Sequence, residues 1–390
     1  MEIALCVFVL PAVGVWVLYH WFYAETVWWE YMLPFGVAAI LTSITWTIGY
    51  YTQVGDHEYW GHCVHKAEYY EDWDEKVPCR HTKYCTRTNG KGKTTTYPCG
   101  TQHLYDVDYH PPYWQLTATD GTQVRVSSAE YKRLVGQFGN EKFVDLHRFY
   151  HSNDGDKYVT TWPGDDKTLD PITTVHWYEN KVQCSRSVFN YRTIDAQSAG
   201  VYEYPEMSGH NISAVLGPCN SEEGRRKLDL LNAKRGKSKE VRVWVCIYPT
   251  GGIDKGLDQE QHWKGGNQNE LVITVGVDQS SQSVRWCHVF SWSESEGMKI
   301  AIRQFVLAQN KFDLSSLADN VEQAVLKQWK RKNFHDFDYL SVDPPNWCVW
   351  LTYILTILTQ AGTVYYCANN EFYPSRWLGY KARTAAREYR

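Results

Sequence analysis

The sequence predicts an α+β protein anchored in a membrane, with a polar domain between apolar ends of the chain. Charge-free runs near both ends are long enough to cross a bilayer. The first part of the polar region is rich in Tyr, Trp, Thr and Val with frequent turn residues, and its last part mixes helical and strand periodicities. The predicted divisions are a transmembrane helical hairpin (1–52), a β-rich lobe (53–220), a small α/β lobe (221–342), a C-terminal transmembrane helix (343–370) and a basic tail (371–390).

The overall composition sets limits on function. The 390 residues include 40 Lys and Arg against 44 Asp and Glu, a formal net charge of −4. This balance offers no excess positive charge for a phosphate backbone, so a nucleic-acid partner is not expected. Hydrophobic residues make up 43% of the chain, which is enough for a packed core and too much for a disordered protein.

The N-terminal hairpin rests on two apolar runs. No charged residue occurs from Ile3 to Tyr23 or from Tyr31 to Tyr51, and at 1.5 Å per residue each run spans a hydrocarbon core of about 30 Å. The link from Ala24 to Glu30 is too short for anything but a turn between two helices. A cleaved signal peptide is the alternative, but no basic residues precede the first run and Glu2 is acidic.

A third span is predicted from Trp347 to Ala368, which is charge-free, longer than most buried core helices and marked by Trp and Tyr at its two ends. Three spans place residues 52–346 on the side of the N-terminus. Basic residues near the spans are balanced between the two sides, so the cysteines decide the orientation: eight of the 11 lie in the polar region, an even number that suits an oxidising compartment. We therefore expect an integral membrane protein with an extracytoplasmic polar domain. The eight cysteines are Cys63, Cys79, Cys85, Cys99, Cys184, Cys219, Cys246 and Cys287.

Two hairpins are predicted in the β-rich lobe. Asp120-Gly121 separates two alternating segments, 114–119 and 122–126, and this dipeptide favours the tight turn of a β-hairpin. The turn 89–93 has the sequence Asn-Gly-Lys-Gly-Lys and is expected at the tip of an exposed hairpin between Tyr84 and Tyr97.

Helix starts are indicated by capping residues. Ser127 or Ser128 is expected to cap a helix that runs through Phe138, and residues 141–150 are expected to form another helix. Ser221 precedes two glutamates and a periodic apolar face, which predicts a helix that opens the α/β lobe.

The α/β lobe continues with alternating elements. Residues 241–248 alternate as a half-buried strand, residues 251–266 form a glycine-bounded, helix-like segment, and two further strands are predicted at 271–277 and 284–292. Two helical patterns follow these strands. The predicted order is therefore helix, strand, helix-like segment, strand, strand, helix, helix, over about 115 residues, which is within the usual size of a domain.

Three strings resemble an uncharacterised family of membrane proteins from tailed-phage and bacterial genomes: residues 68–75 (EYYEDWDE), 257–266 (LDQEQHWKGG) and 286–292 (WCHVFSW). This resemblance implies a membrane setting and a viral or bacterial source, and it implies no activity. By the order of its elements, the region 221–335 resembles the TPM domain, a small α/β module often tethered by a transmembrane helix outside the cytoplasm. No site residue is carried over from either resemblance.

Cysteine and histidine cluster in the first part of the polar region, where thiolates and imidazoles could converge on zinc. The predicted metal ligands are Cys79, His81, Cys85 and Cys99. Their spacing lacks the close cysteine pairs of zinc ribbons, so disulfide bonds that pin a long hairpin explain the cysteines equally well, and free thiols are a third interpretation. The cluster as a whole consists of His62, Cys63, His65, Cys79, His81, Cys85, Cys99 and His103.

Further polar groups have both functional and structural interpretations. The acidic residues of 68–75 could bind a cation or a basic partner, although an exposed strand explains them more simply. Asp254, Asp258 and Glu260 form a possible ligand loop next to a strand end, or an ordinary polar surface. Cys287 and adjacent His288 should point to opposite faces of a strand, which argues against a nucleophile and base.

The function predicted from these observations is that of a membrane-anchored structural or interaction protein. It would present a two-lobe domain at a bilayer surface to a partner, most simply another protein. The alternative is a metal-dependent hydrolase with zinc in the Cys/His cluster and Glu68 or Glu71 as its base. The absence of a Walker A loop, a dinucleotide fingerprint, a Gly-x-Ser-x-Gly elbow and a His-Glu-x-x-His motif disfavours the enzymes that require them.

Overall fold

The computed structural model contains two compact units. The first is formed by residues 1–56, 177–190 and 334–390, and the second by residues 57–176 and 191–333. The second unit contains most of both lobes predicted from the sequence. The residues that the structure describes are 5–22, 28–90, 92–145, 156–163, 170–184, 191–207, 209–219, 221–249 and 251–369.

The first unit is built from helices. Helix α1 (Leu10–Phe22) follows a turn of π-helix, helix α2 covers Trp28–Val54, and the last helix of the chain covers Asn346–Asn369. Among the described residues, two segments have the length and apolar composition of a membrane span, Met32–Val54 and Asn346–Tyr366. The first predicted span is represented by a shorter apolar helix, and its predicted ends and the link to α2 lie partly outside the described residues.

The two long helices bury small and polar side chains and expose apolar ones. On α2 the buried stripe repeats every three to four residues and includes Thr42 and Thr45, whereas Ile44 is 52% exposed. On the last helix Thr352 and Thr356 are buried and Ile357 is 54% exposed. This distribution is the reverse of the one expected for helices of a water-soluble core.

Side-chain contacts join these two helices. The hydroxyl groups of Thr45 and Thr352 lie 2.7 Å apart, and the Gln360 amide nitrogen donates a hydrogen bond of 3.0 Å to the Pro34 carbonyl. A Cβ atom on Gly49 would lie 2.6 Å from the sulfur of Cys348, so glycine is needed for this close approach. Small residues and interhelical hydrogen bonds are typical of helix packing in membranes.

A six-stranded sheet forms the first part of the second unit, with strand order β7-β6-β1-β9-β8 and with β10 also paired to β1. The sheet packs on helix α3 through a core that includes Leu116, Leu134 and Ile172. The elements are β1 Gly55–Tyr70, β2 Trp73–Pro78, β3 Thr82–Thr88, β4 Thr94–Thr101, β5 Tyr105–His110, β6 Tyr113–Ala118, β7 Gln123–Val126, α3 Ser128–Phe138, β8 Lys142–Val144, β9 Lys157–Thr161 and β10 Pro171–Glu179.

The local predictions for this region have mixed outcomes. The Asp120-Gly121 hairpin is confirmed as β6–β7, and the helix capped by Ser127 is confirmed as α3. The helix predicted over 141–150 is wrong at its start, because residues 142–144 form strand β8 and pair with β9. The remainder of that prediction, 146–150, lies outside the described residues.

Strands β2 to β5 form a projection that we call the arm, residues 73–110. Strand β2 pairs with β5, and β3 pairs with β4, each antiparallel. The β3–β4 pair confirms the second predicted hairpin, with Thr88 opposite Thr94 next to its turn. The chain therefore leaves through β2 and β3, reverses, and returns through β4 and β5.

The second sheet of this unit has four strands in the order β11-β12-β13-β14. Strands β11, β12 and β13 are parallel and β14 is antiparallel to β13. The predicted order of elements from residue 221 onward is confirmed. The elements are α4 Ala196–Ala199, β11 Val215–Leu216, α5 Glu222–Lys239, β12 Arg242–Tyr248, α6 Asp254–His262, β13 Glu270–Val277, β14 Val284–Phe290, α7 Glu296–Leu307, α8 Leu314–Gln328 and, in the first unit, α9 Asn346–Asn369.

Both faces of this sheet are covered. Val243 and Val245 point to one face, where they pack with helices α5, α7 and α8, while Trp244 and Cys246 point to the other, where aromatic residues cover them. Gly256 on α6 approaches that second face. The connections β11–α5–β12 and β12–α6–β13 move in the same direction across the sheet, but α5 and α6 lie on opposite faces of it. The two crossovers therefore have opposite hands, and one of them is the uncommon left-handed form.

Candidate functional site

Four potential metal ligands meet near the middle of the arm. Cys79 and His81 lie in the connection between β2 and β3, His103 lies in the connection between β4 and β5, and Asp106 is the second residue of β5. One nitrogen, sulfur or oxygen atom from each residue lies within 4.8 Å of the others. The outgoing and returning chains thus each contribute two donors to one place.

Asp106 is the hub of this group. Its Oδ1 atom lies 3.2 Å from Nδ1 of His81 and is also hydrogen-bonded to the ring of His103, while its Oδ2 accepts a 2.7 Å bond from the Arg80 backbone N–H. These bonds, the one from Arg80 first, lower the pKa of Asp106 to about 2. The carboxyl group is therefore ionised at neutral pH and faces both imidazoles.

The four residues predicted from the sequence as metal ligands are divided in the structure. Cys85 and Cys99 form a disulfide bond across β3 and β4, with their Cα atoms 5.7 Å apart. Cys79 carries a free thiol and lies with His81 in the group described above. The strand pairing explains the division, because it places Cys85 and Cys99 on facing strands beyond the cluster.

Other members of the predicted Cys/His cluster lie elsewhere. His62, Cys63 and His65 belong to β1 in the large sheet, outside the arm. His62 is buried with its Nε2 atom 3.2 Å from the Asp120 carboxylate, and burial lowers the pKa of the imidazole despite that carboxylate. Asp106, in contrast, is not among the residues predicted from the sequence. It follows His103 by three residues, and this short spacing is a signal by which both could be recognised as ligands of one ion.

A second group of potential ligands consists of Glu130, Asp170 and His210. Arg133 bridges its two carboxylates: the guanidinium donates to Glu130 at 2.6 Å and to Asp170 at 3.0 and 3.1 Å. His210 lies 3.3 Å from Glu130. The Arg133 guanidinium already binds both carboxylates, so a metal ion would have to displace it, and we interpret this group as an ion-pair network.

The acidic string 68–75 is only partly exposed. Glu68, predicted from the sequence as a solvent-exposed residue or a base, is 1% exposed. Its carboxylate accepts a hydrogen bond of 2.9 Å from Lys157 and forms an ion pair of 2.9 Å with Lys66. Burial raises the pKa of Glu68, but the two lysines outweigh it and leave the pKa below its usual value. A carboxylate held in this way is a structural anion and a poor proton acceptor.

The segment that the sequence analysis treats as a possible ligand loop is not a loop. Its residues form helix α6, which packs against the sheet. Asp254 is exposed in its first turn, and among the described residues neither it nor Asp258 belongs to a group of converging ligand atoms. Glu260 lies 2.7 Å from Nε2 of His288 on β14. Cys287 is buried on the opposite face of that strand, as predicted, which leaves it away from this pair.

A cavity of about 260 Å³ opens where the parallel strands β12 and β13 end. Its charged lining residues, Asp278 and Arg285, are bonded to each other. The rest of the lining is formed by Tyr248, Pro249, Gly251, Gly276 and Val277.

The arm also carries a concentration of exposed apolar side chains. On β5, Tyr105, Val107 and Tyr109 point outward and are 46%, 54% and 61% exposed, while Asp106 and Asp108 point the other way. Further exposed apolar side chains lie on β3, on β4 and in the connection between β4 and β5. The exposed set consists of Tyr84, Tyr97, Leu104, Tyr105, Val107 and Tyr109.

Comparisons with known proteins leave the family open. No protein-family model matches this sequence, and no curated protein matches it significantly. Function therefore has to be inferred from the arm, the apolar helices and the chemistry of their side chains.

Proposed function

We propose that this chain is a membrane-anchored interaction protein that presents its polar unit to a protein partner through the arm. The reversed exposure of the two long helices is the observation that carries the membrane assignment. Ile44 and Ile357 are exposed while Thr45 and Thr352 are buried and bonded to each other. Water would favour the opposite arrangement, whereas hydrocarbon solvates exposed isoleucine and drives hydroxyl groups into the helix contact.

The number of spans and their orientation form part of the same proposal. Residues 3–23 would supply a third span, so that the polar unit lies on the side of the N-terminus. The Cys85–Cys99 disulfide supports a location outside the cytoplasm, because disulfides persist in oxidising compartments.

The arm is the proposed contact surface for the partner. Six large apolar side chains are exposed between Tyr84 and Tyr109, on strands fixed by two ladders and a disulfide. Rigid tyrosine side chains lose little conformational entropy on binding and supply both apolar area and hydroxyl groups. The membrane-protein family resemblance and the TPM resemblance of residues 221–335 remain predictions; the confirmed order of elements is compatible with the latter.

We do not favour the metal-dependent hydrolase. Such an enzyme needs an open coordination position and a base beside it. The group around Asp106 offers four donors for a tetrahedral ion, and Glu68, one of the two predicted bases, is held by two lysines.

Arginine substitutions test the membrane assignment. The variants Ile44→Arg and Ile357→Arg place a charge on the exposed face near the middle of each long helix. We expect both to reduce the fraction of chain that stays in the membrane pellet after alkaline carbonate extraction, since a central arginine costs about 3 kcal/mol of insertion free energy. Ile300→Arg, at a 54% exposed position of α7, is the control and should leave that fraction unchanged. Unchanged pelleting of all three variants would contradict the proposal.

Site-specific photo-crosslinking tests the role of the arm. A photoreactive amino acid replaces Tyr109 in one chain and Ile300 in another, and both are irradiated in native membranes. The proposal requires a discrete adduct from position 109 that is lost when Tyr105 and Val107 are changed to Ser, and no such adduct from position 300. Identical adducts from both positions, or an adduct that persists in the double variant, would show that the arm is not the contact surface.

A further inference from the structure

We infer that the arm binds one Zn²⁺ ion through Cys79, His81, His103 and Asp106. The site goes beyond the proposed function and does not depend on it, because its evidence is the donor geometry alone. It also differs from the set predicted from the sequence, since two of those residues form the disulfide.

The donor set is one that zinc prefers. A thiolate, two imidazole nitrogens and a carboxylate oxygen are all common zinc ligands, and four of them complete a tetrahedron. With bonds of about 2.0–2.3 Å, neighbouring ligand atoms in such a tetrahedron lie about 3.3–3.8 Å apart. The four donor atoms here lie within 4.8 Å of one another, and two imidazoles already face one carboxylate oxygen. Small rotations of exposed side chains would close the shell.

Neighbouring groups orient the ligands. The Arg80 backbone N–H holds Oδ2 of Asp106, which leaves Oδ1 directed at the two histidines. The His81 backbone N–H donates to the Cys79 sulfur at 3.3 Å, which holds that sulfur beside the histidine. The Arg80 guanidinium is paired with Asp108 and therefore does not compete for Asp106. Outer-shell hydrogen bonds of this kind are a normal feature of metal sites.

The backbone around the site is fixed on both sides. Strands β2 and β5 pair on one side of it and β3 and β4 on the other, and the Gln102 N–H bonds to the His81 carbonyl at 2.9 Å between them. The disulfide joins β3 to β4 farther along the arm. A metal ion would therefore tie the outgoing and returning chains together at the junction of the two ladders. Because all four positions are filled by protein donors, the expected role is structural.

A bound guanidinium distinguishes the group around Asp170 from the group around Asp106. There Arg133 donates hydrogen bonds to both carboxylates, so a metal would have to displace a bound guanidinium. At Asp106 the side-chain partners of the carboxylate are two imidazoles, which are themselves common zinc ligands.

The test is a metal titration of the full-length protein in detergent. The protein is stripped with a chelator, checked for retention of the disulfide, and titrated with Zn²⁺ alone. We expect about one ion bound per chain. Loss of an outer-shell partner typically weakens metal binding about 10- to 100-fold. His103→Ala and Asp106→Asn each remove a direct ligand and should weaken zinc binding by more than that. His110→Ala is the matched control. His110 lies on β5 with Asp106 but is paired with Glu75, so this variant should bind zinc as the parent does.

Cobalt provides a second readout that is independent of affinity. Co²⁺ bound to the parent should show a thiolate-to-metal charge-transfer band, which Cys79→Ser should abolish and Cys219→Ser should preserve. Circular dichroism and resistance of the arm to protease show whether each variant is folded. The inference is overturned if the folded parent binds no zinc in stoichiometric amount, or if His103→Ala and Cys79→Ser bind metal as their controls do. None of these results depends on membrane insertion or on a partner.

Discussion

Gly236 of helix α5 lies against the backbone of Gly61 in strand β1. A Cβ atom on Gly236 would lie 2.3 Å from the Gly61 carbonyl oxygen, and one on Gly61 would lie 2.3 Å from the carbonyl oxygen of Asn232. These are backbone atoms of regular elements, which cannot rotate away as a side chain can. The contact fastens the six-stranded sheet to the helix beside the four-stranded sheet, and so joins the two predicted lobes in one unit.

Gly61→Ala and Gly236→Ala are each expected to destabilise the second unit by about 3 kcal/mol, at the upper end of the cost of overpacking, because the strand and helix must move apart. Denaturant unfolding followed by tryptophan fluorescence measures the change. Gly136→Ala is the matched control: this glycine lies within α3 with open space around it, so alanine should stabilise the helix by about 0.5–1 kcal/mol. Equal stability of Gly61→Ala and the parent would contradict the close contact.

We expect the side chain of Asn232 to stabilise the edge of strand β12. Its buried amide donates to the Val243 carbonyl at 3.0 Å and accepts from the Val243 N–H at 2.7 Å, where β11 is too short to pair. Asn232→Leu would leave both backbone groups without these bonds and should cost about 2–4 kcal/mol of unfolding free energy. Ser238→Ala, at an exposed position of the same helix, should change stability by less than about 0.5 kcal/mol. Similar unfolding midpoints for the two variants would refute this role.

The Cys85–Cys99 disulfide is expected to govern the stability of the arm. It closes a loop between residues 14 apart, and loss of such a crosslink costs about 3 kcal/mol by the chain-entropy estimate. Cys85→Ser, Cys99→Ser and the double variant should therefore increase protease cleavage of the arm to the same extent. Cys219→Ser should have no such effect. Additive effects of the two single variants would show that the cysteines act separately.

Asp170 is expected to make the second unit sensitive to acid. Burial raises the pKa of this carboxyl, but the imidazole of His210, 3.7 Å away, and the hydrogen bonds and charge of Arg133 outweigh it, so the folded pKa lies below the usual value. A lowered folded pKa means that the contribution to stability is present above about pH 4 and is lost as pH falls through the folded pKa. Because Arg133 is 45% exposed, solvent screens the pair and this contribution should be no more than about 1 kcal/mol.

Asp170→Asn tests that prediction. Its unfolding free energy should be lower than that of the parent at pH 7, and the difference should shrink as pH falls below about 4. The parent and the variant are compared by denaturant unfolding at a series of pH values. A difference that stays constant from pH 7 to pH 2 would assign the effect to packing and not to the charge of Asp170.

Much of the local structure could be predicted because its causes lie close together in the sequence. Asp120-Gly121 forms its turn by its own backbone preferences, and Ser127 and Ser221 bond to N–H groups three residues away. The helix predicted at 141–150 failed at its start for the opposite reason. Phe143 pairs with Tyr158 on another strand, and this distant partner outweighs the local helical preference.

The candidate metal site shows the same distinction. Cys79 and His81 could be recognised from the sequence because they stand two residues apart, whereas their association with His103 and Asp106 depends on the return of β5 beside β2. The division between ligands and disulfide depends on strand pairing as well. Spacing along the chain identifies residues of the right chemistry, and it does not state which of them face each other.

The sequence by itself determined the apolar helices, the turns, the helix caps and the order of elements in the α/β region, since each depends on residues within a few positions of one another. Tertiary structure alone decided that Glu68 is buried between two lysines, that Asp106 joins the histidines and that Gly61 meets Gly236. Lys157 lies 89 positions from Glu68, His81 lies 25 positions from Asp106 and Gly236 lies 175 positions from Gly61. These partners are selected by strand register and close packing, which no local pattern encodes.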